Sequence, residues 1–256
     1  MRRWSRSSPD SRSARTDALD ASRSEPRVRD RGSVRAGSVL LVLALVAGVV
    51  LAGVVFAPTV LDELDGDAYD VEPPEAGDRN PPVTDPDDPG ESTHETDEET
   101  VSSDAVEDRV HERVNDVRAD HGLEPIDWDG TVASVSRAHS QEMAETGVLA
   151  HENADGETPF DRFNAVADYC GGYGENVART SVGEPVERAH DGERVEYHTA
   201  DELAAGLVEQ WLHSDAHRAT ILESSDDVET WDRGGVGVVL TEDGEVFATH
   251  NFCTVR

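Results

Sequence analysis

The apolar residues of this 256-residue chain recur with different periods in different stretches, and the change of period divides it into parts. Residues 36–61 form a run of 26 without a charge, and their central part, 39–56, is almost wholly Leu, Val, Ala and Gly. About 20 apolar residues cross a hydrocarbon layer as a helix, so the run predicts a transmembrane helix. Beyond residue 103 the pattern turns amphipathic. Val106, Val110, Val114 and Val117 recur at helical spacing up to Gly122, and Val132, Val135, His139 and Met143 mark a second helix that stops at Gly147. Thr158-Pro159-Phe160-Asp161 and Thr199-Ala200-Asp201-Glu202 are capping boxes, opening a short third helix and a fourth over 203–212. Strand periodicity appears at 236–240 and 246–252 around an Asp243-Gly244 turn, which predicts a hairpin, and 173–178 reads as a further strand. Residues 179–198 have charges, Gly and Pro but no periodic apolar face, and read as an exposed loop insertion. Helices first and a hairpin last predict an α+β domain over 104–256, with helices covering an antiparallel sheet.

Charge sharpens this division. The chain has 55 Asp and Glu against 22 basic residues, all of them Arg. Ten Arg and five acids lie in 1–35, a Ser-rich stretch with little that is apolar, which reads as a disordered arm. The positive surplus before 36–61 and the acidic surplus after it place the N-terminus in the cytoplasm and 104–256 outside the cell. A cleaved signal peptide is the competing reading, although its apolar region usually runs only about 7–15 residues. Residues 62–103 combine Pro73-Pro74, Pro81-Pro82, Pro86 and Pro89 with 16 acids and a single Arg, Arg79. Such a composition predicts an extended acidic stalk.

A formal net charge of -33 expands a compact domain by self-repulsion unless salt screens it. In about 1 M salt the Debye length is only about 3 Å, and a Lys-free, acid-rich chain is similar to proteins of salt-loving archaea. The same charge repels nucleic acid, so DNA and RNA are excluded as partners of the exported part. Cys170 and Cys253 are an even pair in an oxidising compartment and predict a disulfide, worth on the order of 4 kcal/mol in the chain-entropy model; two buried thiols are the alternative.

Four blocks stand out as places for chemistry. They are Asn115-Asp116-Val117-Arg118 with Gly122 to Trp128; Ala138-His139-Ser140-Gln141-Glu142-Met143 with His151 downstream; Gly174-Glu175-Asn176-Val177-Ala178; and Trp211-Leu212-His213-Ser214-Asp215-Ala216-His217. In this order, with Gly235-Val236-Gly237 and Thr249-His250-Asn251-Phe252 at the end, they resemble the CAP superfamily (SCP-like domains of cysteine-rich secretory, antigen 5 and pathogenesis-related proteins) in its prokaryotic branch. The resemblance covers roughly 104–256. It implies a three-layer α-β-α sandwich and a cleft lined by His151, Glu175 and His217, where some members hold a divalent metal through the His pair. The second glutamate of many eukaryotic members falls on Ser214, so the matched positions hold one carboxylate, and two-carboxylate acid/base chemistry is not available there.

Read as residues alone, two imidazoles and a carboxylate can supply three ligands to a zinc ion, or His and Glu can move protons near neutral pH. Each also has a plainer reading: His151 as a loop residue capping backbone groups, Glu175 as a carboxylate orienting a histidine. His139, on the apolar stripe of the second helix, reads as a core histidine. His213 and His217 stand four apart like a zinc-protease pair, but no Glu follows His213 and the helix is expected to break near Ser214-Asp215. Ser214 has no nucleophile elbow around it, and Ser214 or Asp215 is expected to cap the turn that follows. Two classes of function follow. One is a membrane-anchored binding module for an extracellular, lipid or envelope ligand, with a zinc-like metal in the cleft. The other is a metal-assisted, peptidase-like envelope hydrolase using the same cleft, and the single carboxylate favours the first.

Overall fold

The computed structural model of the protein describes residues 71–224 and 230–256. The disordered arm expected over 1–35 and the transmembrane helix expected over 36–61 lie outside the described residues. Among the described residues no helix is long and apolar enough to cross a membrane.

A small hairpin of β1 (Thr93–Glu95) and β2 (Thr100–Ser102) leads into α1 (Ser103–Asp120). Then come β3 (Asp127–Trp128), α2 (Gly130–Thr146), α3 (Pro159–Val166) and the long strand β4 (Cys170–Ser181). A second hairpin, β5 (Val186–Glu187) and β6 (Arg194–Val195), precedes α4 (Ala200–Leu212) and α5 (Asp215–Ile221). The chain closes with β7 (Arg233–Leu240) and β8 (Glu245–Val255). The main sheet has the order β3-β7-β8-β4. It is antiparallel except that β3 runs parallel to β7, the one departure from the all-antiparallel expectation.

Alternation along β7 and β8 sorts the core into two sides, because successive strand side chains point to opposite faces. Val236, Val238, Leu240, Val246, Ala248 and Phe252 share one cluster with Val106, Val110 and Val114 of α1 and Leu203, Leu207 and Trp211 of α4. The spacing of the α1 valines is the periodicity visible in the sequence, and all three are fully buried. The other face carries α2 and α3, whose Val132, Val135, Phe163 and Val166 gather with Cys170 and Cys253. Helices therefore cover both faces, and the domain is α+β as expected. Cys170 and Cys253 are joined in a disulfide, tying the start of β4 to the end of β8.

On the second face α2 sits against two glycines. A Cβ on Gly235 would lie 2.2 Å from the Ala133 nitrogen, and one on Gly237 would lie 2.1 Å from the Arg137 nitrogen. The close approach lets α2 serines bond strand carbonyls: Ser136 Oγ donates to the Gly235 carbonyl and Ser140 Oγ to the Gly237 carbonyl, both at 2.9 Å. Glu107, fully buried on α1, accepts the Val238 N–H at 3.1 Å and a two-armed contact from Arg137 at 2.9 and 2.8 Å. That pair ties α1, α2 and β7 together.

Two expectations need correction. Residues 71–102 are not a free stalk. Thr131 Oγ1 donates to the Val83 carbonyl, the Asp85 N–H donates to Ser134 Oγ, and Arg79 stacks 4.3 Å from the Trp128 ring centroid. Three of the acids in this stretch make turns: Asp78, Asp85 and Asp88 each accept the backbone N–H two residues on. Residues 179–198, read as an exposed loop, continue β4 to Ser181 and then form the β5–β6 hairpin.

Two predictions come from this packing. Gly237→Ala forces the α2 backbone away from β7 and should lower unfolding free energy by on the order of 2–3 kcal/mol in urea titration; an unchanged midpoint would refute the close contact. His250 is fully buried with neither ring nitrogen bonded, and burial holds its pKa well below the ordinary value. Burial likewise lowers His111 to about 4. The unfolded chain takes up protons near pH 6.5 that these folded rings refuse, so stability falls as pH drops from about 6.5 toward 4. His250→Phe should flatten that decline when urea midpoints at pH 8 and pH 5 are compared.

Candidate functional site

Glu175 follows Gly174 on β4, the edge strand of the main sheet, and stands opposite Asn251 in the β4–β8 register. Its side chain is 1% exposed. A buried carboxylate needs partners, and Glu175 has two. Its Oε2 accepts from Arg162 Nη2 at 2.6 Å, and its Oε1 accepts from His151 Nδ1 at 2.9 Å. Arg162 comes from α3, where the Thr158 capping box and Pro159 fix the start of the helix and aim the guanidinium inward. Its other arm donates to the carbonyls of His151 and Glu157 at 2.8 and 3.1 Å, holding the His151 loop in place.

His217 approaches from the other face of β4, on α5. Alternate residues of a strand face opposite ways: Glu175 turns toward α2 and α3, whereas Asn176 turns toward α5 and donates from Nδ2 to the His217 carbonyl at 3.1 Å. The His151 and His217 rings meet beyond the strand edge with centroids 6.3 Å apart, in an edge-to-face arrangement. The structure thus brings together all three residues expected from the sequence, but not as three equivalent ligands. Both Glu175 oxygens are engaged, while His151 keeps Nε2 free and His217 Nδ1 has no partner. Glu175 holds the Nδ1 proton of His151 from behind, the way a carboxylate orients a histidine that ligates through its other nitrogen, so His151 and His217 are the residues that would hold an ion here.

The remaining candidates fall out as follows. His139 is a core histidine, as expected; its Nε2 donates to the Ala150 carbonyl at 2.8 Å, and Glu175 Oε1 lies 4.0 Å away. Ser214 holds the cap position of α5 but makes no side-chain cap bond, contrary to expectation, and the Asp215 side chain is fully exposed, 3.9 Å from Arg218. Among the described residues no second carboxylate substitutes for the missing one at Ser214. Arg162 was missed in the sequence. Its signal was a lone cation between Phe160 and Phe163, one turn into a capped helix, in a chain where a buried Glu175 demanded one. Beside the site, sharing His139 and Arg162 as its wall, lies a cleft of about 510 Å³ whose rim is acidic (Asp85, Glu142, Asp155, Glu157).

The bond from Glu175 raises the His151 pKa above its ordinary value, whereas burial, then the neighbouring His151, lowers that of His217. A raised folded pKa means that the His151 contribution to stability is complete below about pH 6.5 and is lost as pH rises through the folded value. In an NMR titration of the metal-free protein His151 should titrate above 6.5 and His217 below it. Glu175→Gln should bring the His151 midpoint down; an unmoved midpoint would show that the bond is not made in solution.

The CAP family model (cysteine-rich secretory protein family) matches residues 111–254, more than half of the chain. Two Bacillus subtilis proteins align with it: the uncharacterized membrane protein YlbC, 30% identical over 118 residues, and the uncharacterized protein YkwD, 29% identical over 132 residues. These stretches cover 46% and 52% of this chain but only 28% and 44% of the two relatives. Among solved structures, an extracellular SCP-domain protein from Bacillus anthracis superposes with a TM-score of 0.43 at 25% identity, covering 59% of this chain and 41% of that one.

Proposed function

Because this chain belongs to the CAP, or cysteine-rich secretory protein, family, we propose that its folded domain is a binding module displayed outside a cell rather than an enzyme. The observation that carries this reading is the state of Glu175. Its two oxygens are held by Arg162 and His151, so it orients a histidine and has no free oxygen with which to act on a substrate. A general base must reach the proton it takes, and no other carboxylate stands at the matched position. His151 and His217 hold a divalent, zinc-like ion, and the ion or the surface around it engages an extracellular, lipid or envelope ligand.

Placement outside the cell is supported by the disulfide, which persists in oxidising compartments, and by the uncharged run over 36–61 with its Arg surplus on one side. We read that run as a single-span anchor with a cytoplasmic N-terminus, and the Lys-free acidic surface as an adaptation to high salt. Nucleic acid is not a partner in this reading, given the charge of the domain. The hydrolase alternative rests on the same His pair acting through a bound metal.

The protein purified in molar salt should carry an ion that both His151→Ala and His217→Ala lose, with folding intact by circular dichroism. Metal content unchanged in both variants would sink the cleft reading. Turnover of a peptide or glycan panel by the wild type, abolished in His217→Ala, would move the protein into the hydrolase class.

A further inference from the structure

His213 was considered in the sequence for its spacing from His217, but the fold gives it a different partner. The β5–β6 hairpin bends back over the C-terminal end of α4, and its turn brings His190 onto His213 with ring centroids 3.7 Å apart and planes within 8°. Glu209 lies one helical turn before His213, on the same face. One ligand atom each from His190, Glu209 and His213 lie within 4.8 Å of one another. Each ring has a nitrogen to offer. His213 Nδ1 donates to the Glu209 carbonyl at 2.9 Å, which leaves Nε2 free. His190 Nε2 stands 3.6 Å from Glu209 Oε1 and 3.5 Å from Asp191 Oδ2, near both and bonded to neither.

We propose that His190, Glu209 and His213 form a binding site for a borderline divalent transition metal, of which zinc is the simplest, separate from the His151–His217 pair. Two imidazoles and one carboxylate are a donor set that suits zinc, nickel and copper and leaves a position for water. The local field favours a cation. Asp191, Glu193 and Glu209 gather around one guanidinium, that of Arg188, and the carbonyl end of α4 adds the negative end of a helix dipole. Arg188 Nη1 bonds Glu209 Oε2 at 3.1 Å and Oε1 more loosely at 3.4 Å, so an ion at Oε1 competes only with the longer contact. The two rings turn out of their stack to direct both lone pairs at it. Such an ion clips the hairpin to α4, adding to the Arg188–Glu209 ion pair already at this junction. Ions that bind only the folded state raise its stability by mass action, so the clip is a stabilising one.

The test uses the untagged full-length chain in molar salt, where exposed carboxylates hold zinc weakly, titrated with zinc by calorimetry and followed by thermal melting. The His151→Ala/His217→Ala double variant should still bind one zinc ion and melt at a higher temperature with zinc than without. The His190→Ala/His213→Ala double variant should lose that ion and that rise, and Glu209→Gln should weaken binding tenfold or more. These side chains lie near the surface, so the variants are expected to fold, and a near-native melt without zinc verifies it. If His190→Ala/His213→Ala binds and responds to zinc as the wild type does, the site does not exist. If His151→Ala/His217→Ala binds no zinc at all, this proposal fails while the cleft reading stands, so the two outcomes are separable.

Discussion

The backbone of α2 approaches β7 so closely that only glycine fits at 235 and 237, and much of the domain's register depends on that contact. Ser136 and Ser140 reach strand carbonyls across the gap, and Asn251 of β8 donates back to Ser136 Oγ at 2.9 Å. Asn251 is paired directly across from Glu175. A shift of one residue in β4 would turn Glu175 to the opposite face, away from Arg162 and His151. The serine and glycine positions of α2 and β7, none of which touches a ligand, thus decide where the buried carboxylate points.

Electrostatics in this chain works on two scales. On the surface, acids in large excess act through long-range repulsion that salt removes. Inside, a few arginines are placed at junctions: Arg137 with Glu107, Arg162 with Glu175, and Arg118 with Glu223 and the Ile221 carbonyl. Removing one partner of a buried pair costs about 3–5 kcal/mol, because the other charge is then stranded. Each of these pairs joins two different elements, so they specify the arrangement more than they add to its net stability. Arg at all three sites is also sensible chemistry, since a planar fork can bond a carboxylate and a carbonyl together, as Arg162 and Arg118 do.

Much of this was legible in the sequence, for physical reasons that also explain what was not. The α1 valines, the two capping boxes and the closing hairpin are local signals, and all reappear with their bonds made. The three site residues were read from motif resemblance and do meet, yet their division of labour was hidden. That Glu175 orients His151 while Arg162 restrains both depends on α3 folding over β4, a long-range event without a local period. Residues 71–102 misled because composition counts charges without asking what each oxygen bonds. Asp78, Asp85 and Asp88 are turn formers here, and Val71 and Val83 are enough to seat the segment on the core. The helix break expected near Ser214-Asp215 is present, so His213 and His217 lie on different helices, whereas the stacking of His213 on His190 depends on a hairpin that left no local signal.

The commitment of Glu175 bears on what the His pair can do. A carboxylate held by an arginine and a histidine is a poor proton acceptor for a third party, since taking a proton would sacrifice two short bonds in a buried setting. The same bonds make His151 better defined: its Nδ1 proton is held by Glu175, and its ring meets that of His217 edge to face. His217, with its pKa lowered, stays neutral and able to donate a lone pair at pH 7. Restraint from behind and open nitrogens in front are what a metal or ligand contact requires, and catalysis would need a further group that moves protons. Where the family resemblance implies a second glutamate this chain has Ser214, and the adjacent Asp215 faces solvent. Under the proposed binding function, Glu175 and Arg162 would set the direction in which His151 meets a ligand.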